Sequence, residues 1–311
     1  MTASKRAEML PRRSAGLSPN LRGASWMLLS AVAFTAMTTL VKFLGAGYPS
    51  TLQAFYRQLA GFLILLPWIL RDPVGAFRTN RPGLLIFRAG AGTLALILQF
   101  YAFEKMPLAE ANALSFTRAL WLVPIAGIAL GETIGPRRIG AAVAGFVGVL
   151  VMLRVGAHGL AIGVPQVAAL ASALLFALTV AGMKTLTRDH RPAVLLYWSA
   201  ALGLIFTLPL AFVGWRTPTP GDLGLLCLMG VLATVTQAAY IKGVQAADAA
   251  AMAPIDYTRL IFAAAVGFVV FHELPSAATV IGAAIVIAST LYITVREHRM
   301  SVREQRVAAI S

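Results

Sequence analysis

The sequence predicts an all-α integral membrane protein whose ten transmembrane helices form two inverted five-helix repeats. Three observations carry that prediction. Hydrophobic residues make up 59% of the chain and charged residues 12%, against about 45–50% and about 25% in soluble domains. Apolar runs of roughly 20 residues, the length that crosses a bilayer, recur from one end of the chain to the other. Thr117-Arg118 returns 141 residues later as Thr258-Arg259, each time deep inside an apolar run. A guanidinium at bilayer depth costs about 2.5–3.5 kcal/mol, so an arginine kept there is by default a functional residue.

Residues 1–22 form a basic tail with Lys5, Arg6, Arg12, Arg13 and Arg22. With the apolar run behind it, this tail resembles a secretory signal. That run, 23–44, is longer than a signal's apolar core and belongs to the internal repeat, so it reads as a retained first helix. Runs at 51–70, 83–102, 109–130 and 139–153 complete a first repeat over 23–154. After a linker at 155–164, runs at 165–183, 193–213, 222–241, 249–271 and 277–295 make a second repeat over 165–296, and 297–311 is a second tail. Gly, Pro and charged residues bound the runs, and the connections leave no room for a soluble domain.

Charge sets the orientation. Of the 26 Lys and Arg residues, five (Lys42, Arg57, Arg88, Arg118 and Arg259) fall inside the runs and three (Lys105, Arg154 and Arg216) in alternate connections. The other eighteen lie in the tails or on the tails' side, which predicts a multi-pass protein of the cell inner membrane with both termini cytoplasmic. A net charge of +14 would suit nucleic acid, but the basic residues are dispersed among loops, so no nucleic-acid partner is expected. Cys227 is the single cysteine, and His158, His190, His272 and His298 lie far apart, which excludes an intramolecular disulfide and offers no metal cluster.

The repeat is legible residue by residue. Ser30, Phe34 and Lys42 match Ser172, Phe176 and Lys184 at an offset of 142, as Gly61 and Pro67 match Gly203 and Pro209. Pro82, Gly83, Gly92 and Gln99 match Pro220, Gly221, Gly230 and Gln237 at 138. Thr117, Arg118 and Glu132 match Thr258, Arg259 and Glu273 at 141, and Gly140 and Arg154 match Gly282 and Arg296 at 142. Five is odd, so the second copy lies upside down in the membrane relative to the first. Inverted repeats are typical of secondary transporters, whose site lies between the halves near the midplane.

The two repeat endings, TRALWLVPIAGIALGETIGPRRIGAAVAGFVGVLVMLR at 117–154 and TRLIFAAAVGFVVFHELPSAATVIGAAIVIASTLYITVR at 258–296, share a Thr-Arg, a Gly-Glu or His-Glu, an Ile-Gly-Ala-Ala and a closing Arg. With ten spans they resemble the EamA-type members of the drug/metabolite transporter superfamily, over nearly everything from Gly23 to Arg296. The resemblance implies alternating access to a cavity between the repeats, with no catalytic residue and no cofactor. The expected partners are membrane lipid and a small-molecule solute. The first expectation for that solute is an amino-acid-like or other zwitterionic or anionic metabolite, moved outward. The alternative is import of a vitamin or nucleoside-like metabolite such as riboflavin or S-adenosylmethionine.

Arg118 and Arg259 lie about nine and ten residues into their runs, roughly 13–15 Å deep, beyond comfortable snorkelling. Each either grips an anionic group with its guanidinium fork or braces the two halves. Arg259 has Asp256 one turn away, whereas the matching residue in the first repeat is Ser115, so Arg118 is the better candidate for meeting solute. Asp256 is read chiefly as the salt-bridge partner of Arg259, with proton coupling through its carboxylate as the alternative. Thr117, Tyr257 and Thr258 complete the two motifs. Gln99 and Gln237 are expected to point inward, and Phe34, Phe176, Phe116, Tyr101, Tyr240 and Trp121 to offer aromatic surface. Arg57 and Arg88 are read as shallow anchors, and Lys42 and Lys184 as interface anchors. Gly140, Ala144 and Gly148 make a small-residue packing ridge, and Pro254 a hinge beside the site. An intramembrane enzyme would need paired Asp or His residues near one face, which the chain lacks. Oligomeric state, including a homodimer, is left open by the sequence.

Overall fold

A computed structural model describes residues 19–130, 135–154, 162–186, 190, 192–246 and 249–308. The described residues form thirteen helices and no strand. The first repeat holds α1 (Pro19–Leu44), α2 (Ser50–Arg71), α3 (Pro73–Phe77), α4 (Pro82–Lys105), α5 (Leu108–Ser115), α6 (Arg118–Leu130) and α7 (Pro136–Met152). The second holds α8 (Val164–Leu186), α9 (Pro192–Phe212), α10 (Pro220–Ala246), α11 (Ala249–Asp256), α12 (Thr258–Phe271) and α13 (Ala277–Ala308). Eight helical stretches are long and apolar enough to cross a membrane, so this is a multi-pass membrane protein.

The predicted spans 51–70 and 139–153 are not among those eight. α2 dilutes its apolar run with Gln53, Arg57 and Gln58, and α7 has only 17 residues and opens on Arg137 and Arg138. Three further differences from the sequence expectation appear. The spans at 109–130 and 249–271 are each interrupted, giving α5–α6 and α11–α12. A short helix, α3, starts on Pro73 with Asp72 accepting the N–H of Gly75 at 2.9 Å as its cap. The second tail does not begin at 297, because α13 runs on as helix to Ala308.

Helix pairing exchanges between the repeats. α1 packs on α10 and α8 on α4, while α2 packs on its counterpart α9 and α7 on its counterpart α13. The α7–α13 crossing is close at the backbone, and glycine makes it so. A Cβ at Gly148 would sit 2.9 Å from Gly282 O, and one at Gly282 would strike Gly148 O. Gly140, placed in the same ridge by the sequence, faces open space and is exposed. The ridge therefore narrows to the residues at the crossing.

The bundle has a tail face, where α1 begins and α13 ends, and a far face, where α1 stops. The main core runs from Met37, Val41 and Leu44 on α1 through Leu52 and Phe55 on α2 to Phe100, Phe103 and Met106 on α4, and on to Ala142 on α7 and Ile293 on α13. Polar ties between repeats reinforce it. Tyr48 donates to Asp222 at 2.7 Å, and Arg216 to Gly47 O at 3.0 Å.

Two anchor assignments are corrected here. Lys42 does not reach for headgroups but pairs with Glu273, 12% and 23% exposed. Arg57 and Arg88 do not snorkel. Arg57 donates to Gln58 at 3.0 Å and Arg88 to Ser199 on α9 at 2.5 Å, and each Nε is buried without a hydrogen-bond partner. Arg88 thus points to α9, and Arg57 lies where α2 meets α10, its carbonyl near Gly230. The Lys184 side chain and Glu132 lie outside the described residues.

Candidate substrate site at the two helix breaks

Each motif arginine stands where a helix is interrupted. α5 stops at Ser115, Phe116 and Thr117 form a turn, and α6 restarts at Arg118. α11 stops at Asp256, and Tyr257 separates it from α12. Across the first break the backbone bonds tighten, with Thr117 N reaching Leu114 O at 3.1 Å and Leu120 N reaching Thr117 O at 2.9 Å. Such turns disturb the regular carbonyl pairing of a helix. The threonine of each motif compensates: Thr117 Oγ1 donates to Leu114 O at 2.7 Å, and Thr258 Oγ1 to Ile255 O at 2.6 Å. That is the local reason a threonine precedes each arginine. Pro254 lies inside α11, two residues before its last residue.

The second motif neutralises itself. Arg259 pairs with Asp256 through Nη2 and donates from Nε to Asp256 O at 3.2 Å. The two side chains are 13% and 16% exposed. The guanidinium lies 4.7 Å from the ring centroid of Phe34 and 5.4 Å from that of Phe116. Contacts of this kind contribute about 0.5–2 kcal/mol, the more so when desolvated. Phe116 in turn meets Tyr257 at 4.7 Å, and Tyr257 donates its hydroxyl to Thr290 on α13. The first motif's aromatic thus rests on the second motif's tyrosine and cation, so the two breaks meet.

The first motif is not neutralised. Arg118 is half-buried and makes no ion pair or hydrogen bond among the described residues. Ser115, in the place of Asp256, gives its hydroxyl to Asn112 O at 2.7 Å. Glu110, the other acid near Arg118 in sequence, instead faces Gln166 and Arg154. These three line a far-face cavity of about 370 Å³. One turn along α6 from Arg118, the indole N–H of Trp121 is buried without a partner.

The structure therefore brings together Phe34, Phe116, Arg118, Asp256, Tyr257 and Arg259, with Thr117 and Thr258 shaping the breaks. Gln99 is half-buried on α4 and Phe176 half-buried on α8 against the same core. Gln237, expected inward, is exposed on α10, whose Ala239 and Gly243 are buried and whose Gly243 lies against Met27 of α1. None of these three meets either arginine through a hydrogen bond or ring contact among the described residues. Sequence reasoning missed Thr290 and Phe103, the latter edge-on to Phe34 at 6.1 Å. Both look like ordinary core positions in the sequence, and only the fold sets them beside the site.

Residues 21–154 and 165–295 each match the model of the EamA-like transporter family. The chain belongs to that family. It is 30% identical over 289 residues to a riboflavin transporter of Rhizobium johnstonii, covering 92% of this chain and 94% of that protein. It is 29% identical to an S-adenosylmethionine uptake transporter of Rickettsia prowazekii, over 91% of this chain and 96% of that one. A pseudopaline exporter of Pseudomonas aeruginosa is 24% identical, over 86% and 94%. A solved crystal structure superposes with a TM-score of 0.58 at 17% identity, covering 91% of this chain and 98% of that one, and shares the fold. The protein is a membrane transporter of that family, not an enzyme.

Proposed function

We propose that this carrier moves a planar, ring-bearing metabolite with a carboxylate or other electron-rich acceptor, by alternating access between two inverted five-helix repeats of the inner membrane. The single observation that carries the solute class is Arg118, without an acid partner among the described residues, opening α6 at the turn whose Phe116 packs on Tyr257. A guanidinium without an acid partner supplies a fork for acceptor atoms, and the aromatic faces suit a flat ring. Asp256–Arg259 acts as the brace that holds those faces in place.

The riboflavin and S-adenosylmethionine relatives carry planar rings in their solutes, which supports uptake of a vitamin or nucleoside-like compound over the amino-acid-like export first expected from sequence. The exporter among the relatives keeps outward movement as the second reading. Ten crossings are supported by where the helix ends meet. Lys42, near the end of α1, bonds Met106 O just past the end of α4, at 2.7 Å. Both helices thus run toward the far face, and α2 must return between them. Likewise Gly135 before α7 approaches Arg296 of α13, and Met152 at the end of α7 lies against Gly282 near the start of α13, so α7 crosses as well. The same pairing supports repeats at 23–154 and 165–296 with a linker at 155–164.

The test is thermal stabilisation of the purified carrier by riboflavin, S-adenosylmethionine, amino acids and simple organic anions. A ligand at 100 times its Kd should add about 2.7 kcal/mol. A ring-bearing hit that disappears in Arg118→Gln supports the reading. Stabilisation by simple aliphatic amino acids alone sinks it in favour of the second.

A further inference from the structure

We infer that the Lys42–Glu273 ion pair is the latch of the far face, closed here and broken each time solute passes that face. The inference rests on the alternating-access reading above. Lys42 sits near the end of α1 and Glu273 just past the end of α12, so the pair joins one helix from each repeat. Each partner does more than pair. Lys42 donates to Met106 O at 2.7 Å and lies 5.2 Å from the ring centroid of Phe271. The second oxygen of Glu273 accepts the N–H of Leu108, the first residue of α5, at 3.1 Å. One carboxylate thus ties α1, α5 and α12 together at the far end.

The backbone aims Glu273 at this point. α12 ends in a left-handed turn at His272, φ 55°, closed by His272 N to Phe268 O at 3.1 Å and Glu273 N to Gly267 O at 2.9 Å. A residue other than glycine is uncommon in that region and is held there by its surroundings. The sequence position matching it in the first repeat is Gly131, and the same offsets carry the charge pair to Glu132 and Lys184. A Lys and a Glu kept at matched places in both copies are a feature of the repeat and not an accident of one loop.

Beneath the pair the way is sealed. Phe34, Thr38 and Lys42 are spaced by four and share one face of α1. Thr38 is fully buried, and Phe34 stacks on Arg259. The face of α1 that ends at the latch therefore leads directly to the site. Closure is also lopsided: α5 packs on α12 and α13, whereas the matching pairings of α11 with α6 and α7 are not among the substantial ones of the described residues. Unlike Asp256–Arg259, an i,i+3 pair within one motif, this pair spans the two repeats, so it must part if α1 and α12 separate.

The test replaces Cys227 with Ala and installs Thr38→Cys as a nearly isosteric reporter, labelled by an impermeant maleimide in sealed vesicles of both orientations. With Lys42 and Glu273 intact, labelling from the far face is slow. Lys42→Gln or Glu273→Gln should speed it roughly tenfold or more, and Lys42→Arg should keep it slow. A second reporter, Ala177→Cys, fully buried in the tail-side cluster with Ile125 and Ala181, should stay protected throughout. Unchanged Thr38→Cys labelling in both Gln variants overturns the latch. So does an equal rise at both reporters, since the pair then merely holds the fold. Riboflavin and S-adenosylmethionine flux is read in the same vesicles. Flux without any labelling change loses the latch and keeps the carrier reading; opening of the reporter without flux of either solute keeps the latch and loses that solute class.

Discussion

Arg118 and Arg259 look alike in sequence and stand in different physical situations. Arg259 is paired, capped by two rings and held by the carbonyl of Asp256; Arg118 has no acid partner among the described residues. Neutralising each should therefore do different things. Arg259→Gln strands the Asp256 carboxylate in a largely buried place, and breaking such a pair costs about 3–5 kcal/mol. A marked fall in melting temperature in detergent is expected. Arg118→Gln removes a charge that was never compensated, so stability should hold or rise while solute-induced stabilisation and flux are lost. Equal destabilisation by both changes would make Arg118 a brace like its counterpart. The sequence made this distinction legible through Ser115 in place of Asp256. It hid the fate of Lys42, Arg57 and Arg88, because position along a helix reports depth and says nothing of which face meets protein. Depth alone makes each an anchor; Lys42 and Arg88 instead reach other helices, and Arg57 bonds Gln58 beside it.

At the scale of elements, the sequence showed the helices as apolar runs but not the breaks in 109–130 and 249–271. Hydropathy averages over a window, and a break of one or two residues filled by Phe116, Thr117 or Tyr257 stays as apolar as the helix around it. The only signal was the Thr-Arg pair itself, whose threonine bonds the carbonyl three residues back in both repeats. Packing surfaces were partly legible as well. The small-residue ridge on α7 was visible, but a helical spacing of four also admits Gly140, which the crossing leaves outside. Gly148→Ala should force α7 and α13 apart at backbone contact, and overpacking of this kind costs about 1–3 kcal/mol. Gly140→Ala fills open space and should gain up to about 1 kcal/mol of helix propensity. Thermal unfolding of the two variants separates them by sign. Equal effects would mean that the α7–α13 crossing is not where these helices meet.

At the scale of the molecule, the exchange of partners α1–α10 with α8–α4, and of α2–α9 and α7–α13 with themselves, is the packing of two copies related by a two-fold axis, which the proposed inversion puts in the membrane plane. An even number of crossings then returns the chain to its starting side. Under the ten-crossing proposal, the eighteen tail-side basic residues favour the cytoplasmic side, and α13 adds a physical reason. At 1.5 Å per residue its 32 residues span about 48 Å, well beyond a hydrocarbon core of about 30 Å. Its last turns therefore leave the bilayer on the tail face. Reporters fused to either end should both be active only in the cytoplasm, and a tag inserted after Arg216, in the far-face connection before α10, should be accessible only from outside. Tails on opposite sides would mean an odd number of crossings, with α2 or α7 lying along the membrane instead of through it. The two repeats would then share one orientation, and a site built from two matched helix breaks could not face each side in turn.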